Sequence, residues 1–276
     1  MSATRLASDV VRLLAPNPGP MTLDGTNTWV IGDPHGGDGR VVVDPGPDDA
    51  GHLDRVAEVV GTDGPGVEIW VSHRHHDHTD GAQRLARRLG CPVRAADPAH
   101  RWSPRGAAVE TAGLDLAPGH RHALGALGLT VVGSPGHTSD SVSFLLDRPD
   151  DSAWLLTGDT VLGRGTTVIT HPDGDLGAYL DTLDRLRRLV DERRVGRILP
   201  GHGPVVDDPA AVLDQYARHR RERLDQVRAA LAAGDRDAAD VVRRVYADVD
   251  PAVAAAAEQS VRAQLDYLVR TGDGPT

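Results

Sequence analysis

Four times before residue 205 a short apolar run gives way to a polar turn carrying histidine or aspartate, and this recurrence constrains the chain more than any other feature. Val67 to Ser72 leads into His73-Arg74-His75-His76-Asp77-His78, and Leu129 to Gly133 into Ser134-Pro135-Gly136-His137-Thr138. Ala153 to Leu156 leads into Thr157-Gly158-Asp159-Thr160, and Arg197 to Leu199 into Pro200-Gly201-His202-Gly203-Pro204. Apolar, β-branched runs of this length read as strands. Successive residues of an extended segment alternate sides, so His73 and His75 face the same way. Asp77 and His78 follow as the chain turns into a helix. Imidazole and carboxylate suit a zinc-class cation, with manganese or iron as alternatives. The His73 to His78 tract points to metal by itself, a solvated turn being its alternative, whereas His137 or His202 alone reads as an ordinary surface or core residue; the four together predict convergence on a metal site.

Between and around these runs the pattern alternates. Further strands are predicted at Val10 to Leu14, Thr28 to Ile31, Arg40 to Val43 and Ser141 to Leu146. Helices are predicted at Asp49 to Val60, Asp80 to Leu89 and Leu176 to Arg188, the last with Leu180, Leu183, Leu186 and Leu189 on one stripe. Strands mixed with helices indicate sheets covered by helices, an α/β architecture. From Pro209 glycine thins and alanine, arginine and leucine take over. Asp208 is placed to cap a helix that carries Pro209 in its first turn and stops at Gly234. Two more helices, over residues 235 to 247 and 251 to 270, complete a small helical module. The expected division is a main domain over 1–208 and a C-terminal module over 209–276.

Composition removes several function classes. The 30 basic residues against 40 acidic ones give a net charge of −10, which repels polyanions on average, so no stable nucleic-acid complex is expected. Aromatic residues make up only 3% of the chain, too few for base-stacking platforms. All the basic residues are arginine, which excludes Schiff bases and phosphate-loop lysines. Cys91 is the single cysteine, so neither an internal disulfide nor a thiolate metal cage is available, and it reads as a small core residue. No apolar run is long enough to span a membrane, and Arg5, Asp9 and Arg12 interrupt the first twenty residues, so a cytoplasmic location is expected.

The His73-x-His75-x-Asp77-His78 signature, the later His137, Asp159 and His202 motifs and the early Asp44-Pro45-Gly46 together resemble the metallo-β-lactamase-fold superfamily. The resemblance implies a four-layered αββα sandwich and a dinuclear metal site, with two Zn2+ (or Mn2+ or Fe2+) acting through a bridging hydroxide. Carried over position by position, His73, His75 and His137 would hold one ion, Asp77, His78 and His202 the other, and Asp159 both. The run Asn17 to Trp29, the run Thr157 to Thr167 and the helix start Tyr216 to Arg223 are similar to the β-lactamase-like endoribonuclease subgroup, itself similar to thioesterases, in which the C-terminal module is winged-helix-like. That implies a hydrolase cleaving single-stranded RNA or, as the alternative, an ester or thioester of acyl-carrier or acyl-CoA type. A metal-stabilised binding module is the non-enzyme alternative, and a homodimer is compatible with either. A flavin-linked di-iron enzyme would need a further domain. A β-CASP nuclease would need a large insertion for which the stretch between Asp159 and His202 leaves no room.

Around the expected centre, Asp77 and Asp159 are catalytic candidates and His171 is a candidate proton donor. Arg164 is a candidate anion clamp, Asn27 and Thr166 are candidate substrate contacts, and Asn27, Thr28 and Trp29 are candidates to floor the pocket, an ordinary turn being the alternative. Thr138, Ser139, Asp140 and Asp44 are candidates to orient the histidines; turn capping is the alternative for Ser139 and Asp140, and Asp44 is expected to be structural. His76 is expected to face solvent or neighbouring polar groups. His35, His52, His100, His120 and His122 have no partner pattern and are expected at the surface. The arginines at 218, 220, 221, 223 and 228 form either a basic face or, with Glu222 and Asp225, an ion-paired helix.

Overall fold

The computed structural model describes residues 3–33, 38–61, 66–104, 113–149, 152–247 and 251–273. Eleven described strands form two sheets. The first comprises β1 (Thr4–Ala7), β2 (Val10–Leu14), β3 (Asn27–Ile31), β4 (Arg40–Val43), β5 (Val67–Val71) and β6 (Val93–Ala95), laid side by side in chain order. The second comprises β7 (Arg121–Leu124), β8 (Leu127–Gly133), β9 (Val142–Asp147), β10 (Ala153–Gly158) and β11 (Val195–Pro200), again in chain order. Pairing is antiparallel except for β4–β5, β5–β6 and β10–β11, where helical crossovers or long excursions return the chain in the same sense. The helices are α1 (Ala50–Val60), α2 (His76–Thr79), α3 (Ala82–Leu89), α4 (Leu176–Arg193), α5 (Pro209–Ala232), α6 (Ala238–Val245) and α7 (Ala254–Thr271).

The two-residue period of the strands decides which face each side chain joins. Trp29, Ile31, Val41 and Val43 point to the interior between the sheets and meet Leu129, Val131, Phe144 and Leu156 there. Their neighbours Val30 and Val42 face outward onto Leu53, Val56 and Leu85 of α1 and α3. On the far side, Leu155 and Ile198 pack on Leu183 and Leu186 of α4 and on Leu213 and Tyr216 of α5. Helix, sheet, sheet and helix thus stack as the αββα sandwich the resemblance implies.

α4 buries Leu176, Tyr179, Leu183, Leu186 and Val190, a stripe rotated from the one the leucines alone suggested; Leu180 and Leu189 are only partly buried. The second half of α5, through Leu224 and Val227, packs with Val241 of α6 and Val261 and Leu268 of α7 in a separate apolar cluster. Among the described residues this C-terminal part is helical and contains no strand pair of the kind that forms a wing. Nor is any helix of the described chain long and apolar enough to cross a membrane.

Candidate metal centre and its cleft

The four ligand-bearing turns lie at one edge of the sandwich. β5 ends at Val71 and releases Ser72 and His73, both buried; the chain then turns into α2, which carries Asp77 and His78. His137 follows β8, Asp159 follows β10 and His202 follows β11. Two glycines allow the approach. Gly158 has φ +48°, and a Cβ there would lie 2.5 Å from Ser72 Oγ. A Cβ on Gly201 would lie 2.6 Å from Asp159 Oδ1 and 2.8 Å from His78 Cε1. No larger residue fits at either point without moving the centre.

The side chains converge in two groups, His73, His75, His137 and Asp159 in one and Asp77, His78 and His202 in the other. His75 Nδ1 lies 3.0 Å from His73 Nε2 and 3.1 Å from His137 Nε2. His78 Nε2 lies 3.3 Å from His202 Nε2. Asp159 connects the groups: Oδ1 is 3.4 Å from His78 Nε2, while Oδ2 is 3.4 Å from His202 Nε2 and 3.8 Å from His137 Nε2. Asp77 Oδ2 is 3.1 Å from His202 Nε2.

Four of the five imidazoles have their outward nitrogen committed. His137 Nδ1 donates to Val168 O at 2.5 Å, His202 Nδ1 to Gly25 O at 3.1 Å and His78 Nδ1 to Asp44 Oδ2 at 2.9 Å. His73 Nδ1 donates to Ser72 Oγ at 3.0 Å, because that hydroxyl gives its own proton to Asp44 Oδ2. In the neutral rings each Nε2 therefore turns a lone pair inward, the arrangement by which surrounding acceptors orient metal-binding histidines. Lone pairs about 3 Å apart repel unless a proton or a cation lies among them, and one proton serves only one pair. Asp159 Oδ1 is moreover buried without a hydrogen-bond donor. These donors fit a pair of divalent cations.

The charge balance agrees. Burial drives the pKa of His73 well below the ordinary histidine value and that of His137 down to about 4, leaving both rings neutral for coordination. Burial opposes charge on His78 and His202 too. There the carboxylates outweigh it: Asp77, Asp159 and Asp44 raise His78 well above the usual value, and Asp159 and Asp77 raise His202 to about 9. A field that favours a charged imidazole favours a metal cation in its place.

Asp44, read from the sequence as a candidate orienter, takes up that position. It is buried with φ +52°; Oδ1 accepts from Ser72 N at 2.7 Å, and Oδ2 accepts from Ser72 Oγ at 2.7 Å as well as from His78. Ser139 and Asp140 do not reach the imidazoles. They meet Arg74, whose guanidinium also pairs with Asp97 and Asp173 and so closes the outer rim. Thr138 Oγ1 lies 2.6 Å from Ser141 Oγ instead. His76 is exposed and pairs with Asp80, as expected of its side of the segment.

Beside the two groups opens a cleft of about 310 Å³. His137 and Asp159 lie at its floor, Met21 and Leu23 form one wall, the loop from Leu162 to Val168 another, and α5 with the start of α7 a third. Thr166 and Arg164 line it, but Arg164 is held bidentately by Asp24 at 2.6 and 2.9 Å, so its charge is already compensated. Two expected site residues lie elsewhere. Asn27 is buried and donates to Pro200 O and Gly203 O, bracing the His202 turn because β3 runs beneath it. Thr28 bonds Asp44 O and His52, and Trp29 Nε1 donates to Pro200 O, so neither reaches the cleft. His171 is turned outward onto Asp266 at 2.9 Å and is not part of the lining, since Thr170 is tied back to His137 O and fixes the loop's direction.

Other histidines divide. His52 is buried against Thr28 rather than at the surface, its pKa pushed down to about 4 by burial. His120 and His122 are partly covered, edge-on to Trp70. His100 is half-buried, and His35 lies outside the described residues. Cys91 is buried and its thiol is pushed up to about 12, in keeping with a core role. The arginines of α5 also part ways: Arg221 pairs with Asp184, and Arg228 with Asp225 and Asp273, whereas Arg220 and Arg223 enter the cleft lining with His219. Nothing in the sequence distinguished those three, apart from the helical spacing that puts Arg220 four residues after the buried Tyr216.

Residues 21–202 match the model of the metallo-β-lactamase superfamily. The chain is 31% identical over 272 residues to a Caenorhabditis elegans β-lactamase-like protein 2 homolog, covering 97% of this chain and 86% of that protein. The Drosophila melanogaster homolog is 29% identical, with coverage of 98% and 91%. A metallo-β-lactamase family protein from Thermus thermophilus shares the fold with a TM-score of 0.76 at 19% identity over 97% of this chain and 95% of that one. A β-lactamase domain protein from Burkholderia ambifaria does so with 0.77 at 22% identity, covering 98% and 90%. With a histidine and aspartate cluster fit for metal at the strand tips and this family match spanning all four turns, the chain belongs to the metallo-β-lactamase superfamily and is a metal-dependent hydrolase.

Proposed function

We propose that the protein is a dinuclear zinc-type hydrolase of carboxylic esters or thioesters, a reading carried by the walled, largely apolar cleft beside the centre. His73, His75 and His137 would hold one cation, Asp77, His78 and His202 the other, and Asp159 would be shared. When bound, such a pair supplies a water of lowered pKa and polarises the scissile carbonyl. Asp77, partly solvent-exposed with Oδ2 beside His202, takes the proton of the attacking water and returns it to the leaving sulfur or oxygen as the acyl bond breaks. Met21, Leu23 and Leu162 exclude bulk water from an acyl chain.

Cleavage of single-stranded RNA, the first expectation from sequence, is the second reading, and Arg220 and Arg223 in the cleft favour it. Against it, the arginines of α5 beyond the cleft that meet carboxylates, Arg221 and Arg228, offer no uncompensated track for a phosphate backbone, and the chain carries a net charge of −10. The test is to offer zinc-loaded protein and its Asp77→Ala variant an acyl thioester and a single-stranded RNA in parallel. The thioester is expected to be consumed, the variant to be slower by about 10²–10⁴-fold, and the RNA to stay intact. RNA cleavage with an untouched thioester overturns the reading.

Metal removal has a second readout. A ligand present at a thousandfold its Kd stabilises the native state by about 4 kcal/mol, and at ~2–4 °C per kcal/mol for a chain of this size chelation is expected to lower the Tm by about 10 °C. Differential scanning calorimetry before and after dialysis against a chelator measures it; an unchanged Tm means that the histidine cluster holds no structural cation.

A further inference from the structure

Among the described residues, many arginines of this chain pair with carboxylates, from Arg74 with its three to Arg164 on Asp24. Two in the cleft differ. Arg220, 4% exposed, donates to the carbonyl of Thr167 and lies over the Tyr179 ring at 5.2 Å, while its Nε has no hydrogen-bond acceptor. Arg223 donates to Gln226 Oε1 and Val245 O and lies over the Tyr246 ring at 4.7 Å. All these partners are neutral. His219 stands beside them on α5 and lines the same cleft, with Nδ1 buried and unpartnered. Among the described residues of the lining the one acidic side chain is Asp159, which belongs to the metal centre.

Two guanidinium groups in a cleft of low polarity, without a carboxylate, are costly unless an anion joins them, and the bidentate donor geometry of arginine fits carboxylate and phosphate oxygens. We propose that α5 forms an anion subsite, in which Arg223 and His219 hold a carboxylate or phosphate at the end of the substrate remote from the scissile bond. Arg220, fixed on Thr167, contributes charge from beneath. The substrate class is then an ester or thioester with a terminal anion, either an acid group on the acyl chain or a phosphate on the departing thiol. This rests on the ester and thioester reading above and narrows it.

Three thioesters of equal length test it: one uncharged, one with a carboxylate at the acyl terminus, one with a phosphate on the thiol portion. Wild-type protein is expected to favour one anionic member over the uncharged one by at least about tenfold in kcat/KM, the worth of one charge-assisted hydrogen bond. Which member wins identifies the source of the anion. Arg223→Met is expected to bring that ratio near one and Arg223→Lys to retain part of it; His219→Phe, as a second variant, is expected to lower it as well. Because a structural role would slow all three substrates alike, the ratio is the deciding readout. Calorimetric titration of the metal-loaded protein with hexyl phosphate and hexanoate gives a readout free of turnover, with binding expected to weaken at least tenfold in Arg223→Met. Hydrolysis without discrimination, together with anion binding indifferent to Arg223, overturns the subsite. Anion binding that depends on Arg223 in a protein that cleaves no thioester keeps the subsite and removes the ester reading. Binding of a single-stranded oligonucleotide that depends on Arg223, with neither small anion bound, replaces the proposal by an RNA contact.

Discussion

Asp159→Ala is expected to lower hydrolysis by about three orders of magnitude, equivalent to about 4 kcal/mol of barrier. The carboxylate stands within 3.4 Å of His78 and His202 and 3.8 Å of His137, so one side chain serves both ligand groups. Alanine removes the negative charge they share. The neighbouring imidazoles hold this carboxyl well below the usual carboxylate pKa against the opposing effect of burial, so it is an anion throughout the neutral range. The substitution is expected to leave the Tm of the metal-free protein within a few degrees and to reduce bound metal from two equivalents towards one. Metal analysis beside kcat/KM checks both. A variant that keeps two equivalents and near-full activity removes Asp159 from the shared position.

The second large effect is expected at Asp44. Asp44→Ala leaves Ser72 N, Ser72 Oγ and His78 Nδ1 without their buried acceptor. Orphaned buried donors cost about 1–3 kcal/mol each, so a loss of at least about 3 kcal/mol of stability is expected. The φ of +52° adds strain, because aspartate tolerates the left-handed region better than alanine. Loss of an acceptor behind a metal-binding histidine typically lowers affinity about 10–100-fold. Asp44→Asn keeps the backbone and the acceptor oxygen but not the charge, so it is expected to fall between wild type and alanine in both Tm and zinc affinity. Equal behaviour of the two variants would mean that loss of the carboxylate charge, not backbone strain, sets the effect.

The centre was legible because its donors sit at strand tips, where short apolar runs end abruptly and local spacing fixes direction. His73 and His75 show this most clearly, since their alternation is written in three consecutive residues. The sandwich was legible for the same reason, in the strict in–out alternation at residues 29–31 and 41–43. Three strands escaped. β1 and β7 carry arginine or histidine among exposed positions, and β6 is only three residues long, so pattern offers little. The cleft escaped more fully. Its lining is gathered from residues some 240 positions apart, from Pro20 to Ser260, and such closure is a property of tertiary packing rather than of any window. Asn27, expected as a substrate contact, and His171, expected as a proton donor, lie outside the cleft lining for one reason: nearness in sequence to the site does not fix the direction of a side chain, and backbone carbonyls or a distant aspartate claimed them.

Because the floor of the cleft comes from strand tips while one wall comes from α5 and α7, the candidate metal centre and the wall proposed to select its substrate belong to different stretches of the chain. Arg220, gripping the carbonyl of Thr167 one residue before the Val168 oxygen that steadies His137, is the rivet between them. Exchanging the helical segment for that of a relative should therefore alter substrate preference while the bond-breaking apparatus is inherited unchanged, provided this rivet is kept.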